Sequence, residues 1–201
     1  MGSAVIDALW LDTLQRITGR AAHEVKGALN GVSVNLEVVR SRAERPDAPA
    51  SNVSKFANAA IDQLDALIAM TEALLSVARQ VREPVELGLL AARFGALLGP
   101  AVRADGRSLV LDDSLDELGV TAARGNAVCL AVGGCLLAAI ERSTAVRCTS
   151  AVAEDAPGPS IRIEGGDDVV LAVDPEIVAA AADAGIQIVA ESSAIFISFP
   201  R

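Results

Sequence analysis

Along the first 84 residues, apolar side chains recur in two series at helical spacing. Leu14, Ile17, Ala21, Val25, Ala28, Val32, Leu36 and Val39 form one; Phe56, Ala60, Leu64, Leu67, Thr71, Leu74, Ala78 and Val81 form the other. Each averages about 3.57 residues per step, the signature of a helix with one apolar seam. Between the two series Pro46, Asp47 and Pro49 interrupt the pattern, and Ser51 suits an N-cap. The spacing therefore predicts an antiparallel hairpin of two long helices, which has too little core of its own. Pairing two such hairpins into a four-helix bundle would bury both seams, so a homodimer is expected.

After Pro84 the pattern changes. Glu86 to Leu98, Arg124 to Arg142 and Pro175 to Ala184 read as helices, the last with Pro in its first turn. Ser108 to Leu111, Ala145 to Ala153, Ser160 to Glu164, Ile186 to Glu191 and Ala194 to Phe199 alternate as strands. The expected fold class is α+β: a helical hairpin over residues 1–84, then an α/β sandwich over 85–201.

Composition narrows the partners. Of 201 residues, 52% are apolar but only 2% aromatic, so broad stacking surfaces for single-stranded nucleic acid are not expected. The net charge of −9 disfavours nucleic acid and anionic lipid. That charge is uneven: residues 1–84 hold nine basic and ten acidic side chains, residues 85–201 eight and sixteen. The stretch Ala127 to Ile140 would span about 21 Å as a helix, short of the roughly 30 Å of a hydrocarbon core. Met1 to Leu11 lacks the features of a signal peptide, so a soluble cytoplasmic protein is expected, with no membrane partner. Cys129, Cys135 and Cys148 match no zinc spacing and read as reduced, buried thiols rather than redox sensors. A single histidine excludes metal sites built on several imidazoles, and no metal or cofactor is expected.

That histidine, His23, is the candidate for chemistry. It lies about 200° around the helix from Ala21 and Val25, and therefore on the side away from the seam. Arg16, Gly19, Arg20, Lys26, Gly27 and Asn30 share its face. Gly19 and Gly27 sit one turn to either side, although glycine costs a helix interior about 0.5–1 kcal/mol relative to alanine. Bare backbone there would let another protein approach the ring. Arg20 and Lys26 would favour a phosphoryl group, and Glu24 could hold the ring by a hydrogen bond. The alternative is an incidental surface histidine among scattered charges.

The run from His23 through Glu24, Val25, Lys26, Gly27, Ala28, Leu29, Asn30 and Gly31 to Val32 resembles the H-box of bacterial sensor histidine kinases. In that family the histidine is phosphorylated on the first helix of a dimerisation hairpin. His23, Glu24, Leu29 and Asn30 match; Gly27 and Ala28 depart from the usual Asn or Thr and Pro. The second part resembles the family's ATP-binding domain in element order. Yet Gly134 and Ala138 stand where its two metal-chelating Asn residues fall, and Val169 and Leu171 replace the glycines expected after Asp167 and Asp168. A hairpin of this kind with a degenerate ATPase-like domain resembles the dimeric, ChpT-like histidine phosphotransferases.

The resemblance implies a phosphorelay intermediate that uses no ATP. His23 would carry the phosphoryl group between response-regulator receiver domains, which supply their own Asp and Mg²⁺; a hybrid histidine kinase is a further implied partner. Glu24, Arg20 and Lys26 would assist at the ring, while Arg16, Gly19, Gly27, Asn30 and Gly31 would form the docking surface. Two alternatives stand beside this reading. One is a non-catalytic dimeric scaffold that binds two-component proteins; the other is a kinase fragment with a divergent nucleotide site.

Overall fold

The computed structural model describes residues 2–45, 50–79, 83–151, 158–166 and 169–201, with only the backbone of residues 50–52. The expected breaks Pro46, Asp47 and Pro49, the Ser51 side chain, the seam residue Val81, the strand end at 152–153, and Asp167 and Asp168 lie outside the described residues.

The chain is a mixed helix and sheet structure. Helix α1 spans Ser3–Ala43 and α2 spans Ala50–Ala78, packed against each other. A short strand β1 (Val85–Glu86) leads into α3 (Leu87–Ala104). Strand β2 (Ser108–Leu111), a 3-10 turn (Asp113–Glu117) and strand β3 (Val120–Thr121) follow, then α4 (Gly125–Arg142). The chain continues through β4 (Ala145–Ala151), β5 (Ser160–Gly165), α5 (Pro175–Asp183), β6 (Gln187–Glu191) and β7 (Ala194–Ser198).

The main sheet has the order β2-β4-β5-β7-β6, with β2 and β4 parallel and the other pairs antiparallel; β1 and β3 pair separately. The parallel pair requires a crossover, and α4 supplies it. Alternation along the strands sends Val146, Cys148, Ile161, Ile163, Ile188, Ile195 and Ile197 to the helical layer. The opposite face carries Arg147, Arg162 and Glu164, with Arg162 stacked over its cross-strand partner Phe196 at 5.5 Å. Arg147 donates to Asp112 at 2.6 Å, which holds that carboxyl below its ordinary range, at about 2. All three thiols are buried, and burial pushes those of Cys129 and Cys148 up to about 12, so they are inert.

Helix α4 is the centre of the core. Gly133 lets two neighbours close on it: a Cβ there would lie 3.0 Å from the Phe94 ring and 3.3 Å from Ile17 Cδ1. Trp10 meets the same Phe94 ring edge-on, with centroids 6.2 Å apart. The N-terminal half of α1, through Ile6, Trp10, Thr13, Ile17 and Ala21, is thereby buried in the same core as the sheet. The α4 N-terminus is met by two carboxylates, since Glu83 accepts from the Gly125 amide and Asp7 accepts from Asn126 and Arg124. At its other end Arg107 donates to the Ile140 carbonyl at 3.0 Å.

Several expectations need correction. The third helix starts at Leu87 and runs six residues past Leu98, through Pro100 to Ala104. An interior proline costs roughly 3 kcal/mol, but Leu90, Ala91, Phe94, Leu97, Leu98 and Val102 keep one buried stripe across it. Gly125–Arg142 and Leu87–Ala104 are each 18 residues long, and by length and composition alone both are long enough to cross a membrane. Gly125 and Asn126 at one end and Glu141 and Arg142 at the other lengthen the former beyond the uncharged stretch Ala127 to Ile140. Within the protein, 83% of that helix is buried.

The seams also differ. Leu36 and Leu64 are about half exposed, and Thr71 and Ala78 are exposed as well. The contact face of α2 keeps Ala60 and Leu67 from that seam and adds Met70, Ala73 and Val77. Periodicity marks every apolar position and does not distinguish positions covered by the hairpin's own partner from those left uncovered.

Because Phe94 joins α1, α3 and α4, Phe94→Ala is expected to cost about 3–5 kcal/mol in denaturant unfolding. A loss below about 1 kcal/mol would contradict this packing.

Candidate functional site

Three faces of α1 divide the work of the helix. At 100° per residue, Trp10, Ile17 and Ala21 point into the core; Leu11, Thr18, Ala22, Val25, Leu29 and Leu36 form a second row about 90° away, and His23 projects from a third direction, about 140° from the first and roughly 120–130° from the second. His23 lies two residues beyond Ala21, the last fully buried side chain of α1. Its imidazole is exposed and, among the described residues, has no hydrogen-bond or ion-pair partner.

Gly19 and Gly27 flank the ring on the exposed surface, and a Cβ added at either would meet nothing within 4 Å. These positions therefore do not need glycine for packing within the chain. Asn30 and Lys26 are exposed on the neighbouring surface, and Lys26 has no ion-pair partner among the described residues.

Four of the expected residues sit differently. Gly31 faces α2, where a Cβ would meet the flexible end of the Gln63 side chain, so this glycine lies against the neighbouring helix of its own hairpin. The same Gln63 accepts from Asn35 at 3.2 Å. Glu24 turns the other way from His23, into a groove of about 350 Å³ shared with Asp62, Gln63 and Arg103, and makes no hydrogen bond to the ring. Successive helical residues diverge by about 100°, which separates the two side chains. Arg20 and Arg16, one turn apart, both donate to Oε1 of Glu141 at the end of α4, at 3.0 and 2.7 Å. Sequence reasoning missed Glu141 because no local spacing links it to residues more than a hundred positions earlier.

Beside the core, a groove of about 520 Å³ runs between α1 and α2, with the core residues Ala21 and Met70 at its floor. Thr18, Gly19, Ala22, Val25, Met70, Thr71 and Leu74 line it. It continues into an exposed apolar row on α2, made by Ile61, Leu64, Ile68 and Leu75, each roughly half exposed.

The nucleotide-site positions are also occupied by packing. A Cβ at Gly134 would stand 2.9 Å from Ile177 Cδ1, so α5 closes the space a chelating side chain would need. Ala138 is half-buried on the same helix. Leu171 is buried in the core and its amide donates to Ser192, which gives this stretch a packed course where a phosphate loop would have to stay open. Among the described residues, no three His, Cys, Asp or Glu side chains gather in a metal-binding cluster.

No family model matches the chain, and no curated protein matches it. Among solved structures it is similar to the Acinetobacter baumannii histidine kinase AdeS at 14% identity and a TM-score of 0.40, over 89% of this chain and 97% of that one.

An exposed, unpaired imidazole is expected to react with diethyl pyrocarbonate in the native protein at nearly the rate of a histidine in a short peptide. Mass spectrometry locates the adduct, and protection of His23 by more than about tenfold would contradict its placement.

Proposed function

We propose that the chain is a phosphorelay histidine phosphotransferase that acts as a homodimer and passes a phosphoryl group between receiver domains through phosphohistidine at His23. In this reading a ring nitrogen uses its lone pair to attack the phosphorus of a receiver's aspartyl phosphate in line. The N–P bond forms as the acyl-phosphate P–O bond breaks, and that electron pair leaves on the donor carboxylate. The reverse sequence delivers the phosphoryl group to an Asp of a second receiver, and each receiver brings its own Mg²⁺.

The observation that carries the reading is the exposed, unpartnered His23 between Gly19 and Gly27, with open space above both glycines. A nucleophile that reacts with a group inside another protein's pocket needs that clearance, and positioning is the chief contribution such a site can make. Lys26 adds a free cation nearby. Closure of position 134 by Ile177 and burial of Leu171 support a role without ATP. The division into a phosphotransfer hairpin over 1–84 and a degenerate ATPase-like part over 85–201 belongs to the same proposal.

The dimer is supported by the uncovered apolar rows. Ile61, Leu64 and Ile68 on α2, with Leu29 and Leu36 on α1, are all about half exposed in the single chain. A second copy of the hairpin presents the same rows and would bury both, giving a four-helix bundle. His23 projects about 120° from the α1 row, which keeps it outside such an interface.

A non-catalytic scaffold that binds two-component proteins is favoured by two observations: Arg16 and Arg20 are engaged by Glu141, and Glu24 makes no hydrogen bond to the ring among the described residues. The two readings part in a transfer experiment. A receiver domain carrying labelled aspartyl phosphate is expected to yield acid-labile, alkali-stable label on this protein, and His23→Ala is expected to abolish it while leaving receiver binding intact. Absence of label on the wild type, with receiver binding retained, would favour the scaffold. In sedimentation, Ile68→Glu is expected to convert the dimer to monomer, and an unchanged mass would overturn the proposed interface.

A further inference from the structure

The two arginines nearest the histidine are held by a carboxylate from another element. Glu141 Oε1 accepts from Arg16 Nη2 at 2.7 Å and from Arg20 Nη2 at 3.0 Å, and all three side chains are a third to a half exposed. Glu141 stands in the last turn of α4, where the helix carbonyls already present partial negative charge, so the carboxylate depends on the arginines to offset an unfavourable site. Arg20 and His23 are three residues apart on α1. That spacing places their side chains side by side on one helix surface, about 5–6 Å apart at Cβ. A phosphoryl group on the His23 ring would add nearly two negative charges within reach of the Arg20 fork, whose geometry suits phosphate as well as carboxylate. Arg16, a further turn away, can remain on Glu141.

We propose that Glu141 is a positioning residue that competes with the phosphoryl group for Arg20, and so keeps phosphohistidine a ready donor rather than a stabilised sink. This rests on the phosphotransfer reading of His23. While Arg20 stays on Glu141, the phosphoryl group lacks its nearest bidentate donor. Transfer onward breaks the N–P bond, returns the electron pair to the imidazole and forms the P–O bond on the acceptor Asp. With less stabilisation of the starting state, that equilibrium lies further toward the receiver. Because the contact is partly solvated, its influence is modest, of the size measured for surface ion pairs.

The test measures how labelled phosphoryl partitions at equilibrium between the full-length protein and a receiver domain, for the wild type and Glu141→Gln. The variant is expected to shift the ratio toward phosphohistidine by about two- to fivefold and to lengthen its hydrolytic lifetime in the same direction. In an Arg20→Ala background Glu141→Gln is expected to shift nothing, whereas in an Arg16→Ala background the shift is expected to persist. A merely structural contact would change thermal unfolding without moving the partition. An unchanged partition with wild-type labelling intact overturns the role of Glu141 alone, and so does an equal shift in the Arg20→Ala background. A wild type that takes no label overturns the phosphotransfer reading and this inference with it.

Discussion

Burial of α4 on every side sets the terms for the rest of the chain. A helix with no charged side chain between Ala127 and Ile140 can be accommodated only if other elements cover it. The α1 and α3 helices close on one flank through Ile17 and Phe94, α5 closes on another through Ile177, and the sheet lies beneath. The consecutive glycines Gly133 and Gly134 permit this, because each removes the Cβ that would hold one neighbour away. The polar groups at the ends of α4 are then met by Asp7, Glu83 and Arg107, so the helix is anchored by charge at its termini and by packing along its length.

The same arrangement decides what the two halves of the hairpin can do. Up to Ala21, α1 is an element of the common core; beyond it, α1 is held mainly by α2 through half-buried contacts such as Gly31 with Gln63 and Asn35 with Gln63. The rows uncovered in a single chain begin beside the core at Leu11 and Leu75 and run outward to Leu36 and Ile61. Charge divides elsewhere, at Pro84: the hairpin sequence before it is nearly neutral and the acidity lies after it.

Much of this was legible in the sequence, for local reasons. The alternation from Ala194 onward, the apolar run from Ala127, and Pro175 after Asp174 each specify an element without reference to anything distant. The exposure of His23 also followed from its angle to Ala21 and Val25. What was not legible depended on long-range packing. The seam residues Leu36 and Leu64 are apolar and correctly spaced, yet which apolar row meets α2 is settled by the register between helices. Helix α3 passes Pro100 because its buried stripe continues, a fact visible only once the core is assembled. Gly31 read as part of a docking surface because a glycine looks alike whether it admits another protein or a neighbouring glutamine. The roles assigned to Arg20 and Glu24 rested on sequence proximity to His23, whereas the fold turns one toward Glu141 and the other into a groove beside Asp62 and Arg103.

The place of His23 just beyond Ala21 has an entropic consequence. A reactive side chain on a loop or a fraying terminus must be ordered each time a partner arrives, and that ordering subtracts from every encounter. Here the backbone beneath the imidazole is continuous with a stretch of helix fixed by Trp10, Ile17 and Phe94, so its conformational freedom was surrendered once, when the chain folded. What remains free is little more than the two torsions of the side chain itself. The ring is thus exposed to solvent while its attachment is continuous with the interior.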